Sequence, residues 1–186
     1  MYNPTLALIA SFIAMSLIVV SYFVKKKERY LLFQMLGIIF LVASYFFTTQ
    51  FFAMVGLAIA IMRVLTYFLY ERKDRLAPLI WAFVFSGSTI AAYFIVNLWI
   101  LKTAQYIDVV LLIAACFYAF IFRMRSLKAV RFWVLIPAIL SILYNTVSGA
   151  AIFVSVSYIF ELTADVISIF KYHIIGVNND ATINNK

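Results

Sequence analysis

Residues 21–37 read SYFVKKKERYLLFQMLG. An apolar, aromatic run ends in the basic cluster Lys25, Lys26, Lys27 and Arg29, and a second apolar run opens at Tyr30. The pattern returns at 119–137 as AFIFRMRSLKAVRFWVLIP. In both stretches an Arg-aromatic pair, Arg29-Tyr30 or Arg131-Phe132, opens the next segment. Gly37 and Pro137 then stand 100 residues apart. Two chain reversals of the same kind, this far apart, suggest that the chain repeats itself.

Working outward from these reversals, seven apolar segments lie between the charged clusters, at 5–24, 30–48, 51–70, 77–99, 106–122, 130–147 and 150–172. Each is near the ~20 residues that cross ~30 Å of hydrocarbon at 1.5 Å per residue. A span must satisfy its own backbone hydrogen bonds inside the bilayer, so these segments are expected to be helices despite their aromatic and β-branched residues. Composition agrees. The 186 residues are 67% hydrophobic and 12% charged, with a mean hydropathy of +1.06. A soluble domain has roughly 45–50% apolar and about 25% charged residues. That excess excludes a soluble enzyme, a disordered chain and a disulfide scaffold.

The expected fold class is therefore all-α: a polytopic membrane protein of seven transmembrane helices, residues 1–173. It divides into repeat one (5–70), a linker helix (77–99) and repeat two (106–172), followed by a disordered cytoplasmic tail (174–186). The linker restores the starting side after three helices have inverted the chain, so the two triplets run parallel. Short turns, YFFTTQ at 45–50 and YNTVSG at 144–149, fall at nearly the same place in each triplet.

Charge orients the helices. The basic residues at 25–29, 72–75, 123–131, 171 and 186 fall on one side, and Lys102 alone falls on the other. By the positive-inside rule this places the N-terminus outside and the C-terminus inside. The net charge of +8 then faces the anionic inner leaflet, and no nucleic-acid partner is needed to explain it. The first segment has its basic cluster after it, the wrong order for a signal peptide. Cys116 and His173, one of each in the chain, exclude a disulfide within it and a Cys-cluster metal site. No cofactor is expected. No nucleophile triad, phosphate loop or metal cluster can be assembled, so the chain is expected not to be an enzyme.

Function is sought in the polar groups that a span should not contain. Arg63 lies twelve residues after Phe51, about 18 Å deep. Glu161 and Asp165 occupy one face of the seventh segment, four residues apart. The third and seventh segments are equivalent in the two repeats, so Arg63 is expected to meet Glu161, Asp165 or both. Such a group either fixes the packing of the repeats or lines a cavity for a polar solute. Gln34, Tyr67, Tyr144 and Asn145 could complete a substrate-binding lining, the last two doubling as a turn device. Asn97 and Asp108 read as wet, Ala53, Gly56 and Ala60 as a packing face, and the three tryptophans as interfacial anchors. Pro137 is expected to kink the sixth helix.

Four pieces of the chain, AIMRVLTYF (60–68), FYAFIFRMRSLKAVRFW (117–133), LYNTVSG (143–149) and Glu161 ahead of DVISIFKYH (165–173), resemble the YgjV family of bacterial inner-membrane proteins. The resemblance runs from about 52 to 172. It implies a multi-pass protein of the bacterial cytoplasmic membrane and names no substrate. The layout is also similar to the three-one-three plan of SWEET and PQ-loop transporters. It departs from them in having no Pro-Gln pair and no proline in the membrane part of the first or fifth segment.

The leading expectation is a transporter or facilitator of a small polar solute, with a midplane site between the repeats. One alternative is a non-transporting membrane protein in which an Arg63 ion pair is structural. Another is the substrate-capture subunit of a vitamin importer, which would dock through small residues such as Ala10 and Ala14. The expected partners are the lipid bilayer and the solute, with a homodimer left open.

Overall fold

The computed structural model describes residues 3–47, 51–100, 106–147 and 152–171. Among these residues the regular elements are all helices: α1 Pro4–Phe23, α2 Lys27–Phe47, α3 Phe51–Arg72, α4 Leu79–Ala92, α5 Asp108–Ile121, α6 Leu127–Val147 and α7 Ile152–Ile169. The tail, His173, Lys102 and the Ser148-Gly149 turn lie outside the described residues.

Local chemistry sets several boundaries. The Asn3 side chain accepts the Leu6 N–H at 3.1 Å, and Pro4 opens α1 where no intrahelical N–H bond is lost. At the end of α3, Arg75 N–H donates to the Tyr70 carbonyl and Asp74 N–H to that of Glu71. This double closure needs a left-handed residue, which is Asp74 at φ 51°. The sequence suggests one regular helix over 77–99. Instead α4 widens into a π-helical stretch, Tyr93–Ile100. Pro137 sits buried inside α6, which runs through it from Leu127 to Val147.

Five helices (α1, α2, α3, α4 with the start of its π stretch, and α6) are long and apolar enough to cross a membrane. α5 is shorter, at 14 residues. The outer surface carries Phe12, Met62, Ile80 and Phe132, each more than half exposed. In water such a surface would be a liability; in a bilayer it is solvated. The chain is an all-helical polytopic membrane protein.

Each long helix packs on its neighbour in sequence: α1 on α2, α2 on α3, α5 on α6 and α6 on α7. α1 also lies along α7, and α3 touches α5 at fewer places. Gly37 permits the close approach of α2 to α1. A Cβ there would stand 2.5 Å from Ile18 Cγ1 and 3.2 Å from the Ala14 carbonyl. Ala10 and Ala14 are buried at this α1–α2 contact, so that small-residue face is used inside the chain. Lys27 Nζ meets Glu71 Oε2 at 2.6 Å, and Arg123 Nε donates to the Ala77 carbonyl at 2.9 Å. These two contacts gather three of the basic connections at one end of the bundle.

Candidate functional site

The helices leave a cavity of about 100 Å³ in the middle of the bundle, and all seven contribute to its wall. The wall is mostly apolar, with Leu111, Leu112, Ala114 and Ala115 on one side and Leu41, Leu57 and Ile38 on another. Among its lining residues are the polar Gln34, Tyr45, Arg63, Thr89, Tyr118, Ser141, Tyr158 and Glu161. A few fixed polar groups in an apolar wall are what a small-molecule site requires. The volume is well under the roughly 300–1,000 Å³ of pockets for drug-sized ligands.

Arg63 and Glu161 share this cavity, 4% and 5% exposed, and do not pair. The Arg63 guanidinium turns to α5 instead. Its Nη1 donates to the Ala115 carbonyl at 2.8 Å, and its carbon lies 5.6 and 5.7 Å from the ring centres of Tyr118 and Phe122. The cause is local. α5 is small-sided at Ala114 and Ala115, so a carbonyl with a spare lone pair is within reach, and two aromatic faces lie beneath the cation. Glu161 Oε1 accepts from the Tyr22 hydroxyl at 2.7 Å. The expected meeting of Arg63 with Glu161 or Asp165 is therefore not made; among the described residues the ion pair is Lys27–Glu71.

Asp165 is 1% exposed and sits one turn beyond Glu161, outside the cavity wall. Neither of its carboxylate oxygens has a hydrogen-bond partner. Gln34 lines the cavity, and its Nε2 donates to Ser21 Oγ at 3.0 Å. Tyr67 lies off the cavity and donates to the Ala119 carbonyl at 2.6 Å, one turn from the Arg63 bond. Asn145 is no turn device. It is buried within α6, gives its amide to the Ser141 carbonyl at 2.7 Å, and receives the Tyr45 hydroxyl at 3.5 Å. Tyr144 is half-buried and does not line the cavity. The structure thus brings Arg63, Glu161 and Gln34 together and leaves Asp165, Tyr67, Tyr144 and Asn145 around them.

Other expectations are also revised. Asp108, read as wet, is 4% exposed in the first turn of α5. Ala53 packs with Tyr45 of α2 and Ala60 with the main core, as a packing face should, and both also line the cavity; Gly56 lines it with nothing within 4 Å of where its Cβ would be. Trp81 donates to the Tyr70 hydroxyl at 3.4 Å and stacks on Phe85 at 5.7 Å, so it packs between helices. Arg131, counted among the basic residues of the inner loops, is buried at 3% and donates to the Tyr22 and Val24 carbonyls, both at 2.8 Å. It caps the C-terminal end of α1, where a cation is favoured. Tyr22, Tyr158 and Ser141 were missed because a hydroxyl on an apolar span carries no charge signal. Arg131 could have been found, since it falls just inside the apolar segment that opens at 130.

The family model Imp-YgjV, described as a bacterial inner membrane protein, matches residues 5–174. The chain belongs to the YgjV family. The match takes in α1 through α7 and every cavity residue. No curated protein and no solved structure matches this YgjV-family chain.

Proposed function

We propose that the protein is a transporter or facilitator of a small polar solute in the bacterial inner membrane, with its binding site in the central cavity. The observation that carries this reading is one wall built by all seven helices, holding a guanidinium and a carboxylate that do not neutralise each other. Buried ionisable groups are costly in a bilayer, and a merely structural pair would be joined. The site lies between two parallel triplets, α1–α3 and α5–α7, with α4 as linker. The matching packing order within each triplet and the α1–α7 and α3–α5 contacts support that arrangement. The N-terminus is assigned outside and the C-terminus inside. In support, Lys27 and Arg123 tie basic connections together at one end.

The test is a thermal-shift screen of the purified protein in detergent, with Arg63→Ala as control, followed by uptake into vesicles for any hit. A ligand at a hundred times its dissociation constant adds about 2.7 kcal/mol of stability. Stabilisation lost in the variant, together with solute flux, is the expected result. A hit without flux would leave a binding protein and remove the transporter.

One observation favours a second reading. Arg63 and Tyr67 both bond carbonyls of α5, so this pair of side chains also stitches α3 to α5. In a non-transporting scaffold, Arg63→Met combined with Glu161→Leu would leave every cellular phenotype unchanged. The vitamin-capture reading has less support: Ala10 and Ala14 are buried within the bundle, and the cavity is small for a vitamin.

A further inference from the structure

We infer that the solute is a small zwitterion, an amino-acid-like molecule with its carboxylate at Arg63 and its ammonium at Glu161. This rests on the cavity being a solute site, and it adds the chemical class. Three observations lead to it.

First, the two charges stand on the same small cavity and are held apart. Arg63 is on α3 and Glu161 on α7, with no N···O approach within 4.0 Å. Second, among the described residues each is held by neutral partners and by no opposite charge of the protein. Arg63 has five N–H donors, and the structure gives it one hydrogen bond, to the Ala115 carbonyl, plus the faces of Tyr118 and Phe122. Glu161 receives a hydroxyl from Tyr22. Third, the cavity is small and largely apolar, about 100 Å³, so it takes a solute of few heavy atoms.

Charge complementarity then selects among solutes. An anion answers Arg63 but brings a negative charge into a space shared with Glu161. A cation answers Glu161 and faces Arg63. A neutral polar molecule leaves both unmatched in a medium where unmatched charge is costly. A zwitterion carries no net charge into the cavity and meets each group with its opposite. Arg63 suits the carboxylate end, since a planar guanidinium takes a carboxylate through two parallel hydrogen bonds. Gln34 and Ser141 also line the cavity, with their donors given to Ser21 Oγ and the Pro137 carbonyl. Asp165 lies one turn beyond the wall and takes no part in direct contact.

The experiment uses the full chain in detergent and measures binding by calorimetry. The probes are glycine, β-alanine, γ-aminobutyrate and 5-aminopentanoate, a series that also measures the spacing of the two charges. Each is compared with its C-terminal amide and its N-acetyl form, which lack one charge each. Glycerol and urea serve as uncharged controls. One member of the series is expected to bind, and each single-charge analogue to bind roughly tenfold or more weakly. Arg63→Gln should erase the preference over the amide and keep the preference over the N-acetyl form; Glu161→Gln should do the converse. Gly56→Leu, which fills the cavity and leaves both charges in place, should abolish binding in a protein that still elutes as one species. Equal binding of the analogues, or of an uncharged control, would overturn the zwitterion and leave the solute site standing. No binding by any member of the series overturns it too. In that case a thermal-shift hit from another class would keep the solute site, and a screen without hits would remove both.

Discussion

Two seams, α1 against α7 and α3 against α5, are filled differently. At the first, α1 lies along α7. Tyr22 donates across it to Glu161 at 2.7 Å, and Arg131 closes its end by capping the last carbonyls of α1. At the second, α3 and α5 touch at few places. Arg63 and Tyr67 reach across to the carbonyls of Ala115 and Ala119, one turn apart. Long bridging side chains set the separation there. The facing residues Ala53, Gly56 and Ala60 on α3 and Ala114 and Ala115 on α5 are too small to fill it, and the cavity opens beside them. One seam is thus packed and the other hollow. The difference lies in side-chain volume, and it separates what holds the bundle together from what the bundle can hold.

The packed seam should be the more sensitive of the two. Arg131→Ala removes a buried cation and both of its carbonyl bonds, and takes a positive charge away from the neighbourhood of Asp165. With each hydrogen bond to a charged group worth about 1.5–3 kcal/mol, a loss of about 3–6 kcal/mol is expected in unfolding by mixed detergent titration. A loss as small as that of Tyr67→Phe, about 0.6 kcal/mol on the scale of membrane hydrogen bonds, would make the two seams equivalent. Next in size is Tyr22→Phe, which leaves Glu161 without its 2.7 Å donor. Hydrogen bonds to charged groups are worth about 1.5–3 kcal/mol. A double-mutant cycle of Tyr22→Phe with Glu161→Gln should recover most of that as coupling. Additive losses would mean that the bond does not hold Glu161 in place.

The helices were legible because an apolar run of about 20 residues is too long for a barrel strand and must satisfy its backbone as a helix, so length and composition suffice. The rest depended on which faces meet. Arg63 and Glu161 could be flagged as charges inside spans. Their missing partnership could not, since it turns on the distance between α3 and α7 and on an accessible carbonyl of Ala115. Gly56 and Gly37 look alike as small residues on apolar helices, yet one lines a cavity and the other lies against Ile18. Tyr22 and Tyr158 read as ordinary span aromatics until their hydroxyls are placed. Asp108 was misread because a charge near a helix end is usually wet, and here it is buried.

The two glycines give the finest comparison of packed against hollow. Gly37→Ala drives a methyl to within 2.5 Å of Ile18 Cγ1 and 3.2 Å of the Ala14 carbonyl. The Ile18 side chain can rotate away but the carbonyl is fixed, so overpacking of about 1–3 kcal/mol opposes a helix-propensity gain of about 1. A net loss near 1 kcal/mol is expected. Gly56→Ala meets nothing within 4 Å, so only the propensity gain remains. The variant should therefore unfold at the same denaturant level as the parent or slightly above it. Its added methyl protrudes into the cavity, so any ligand of that cavity should bind it more weakly while stability holds or rises. Measuring unfolding and binding on this one variant separates the two roles of the α3 face. If it destabilises the fold as much as Gly37→Ala does, the seam beside Arg63 is packed after all.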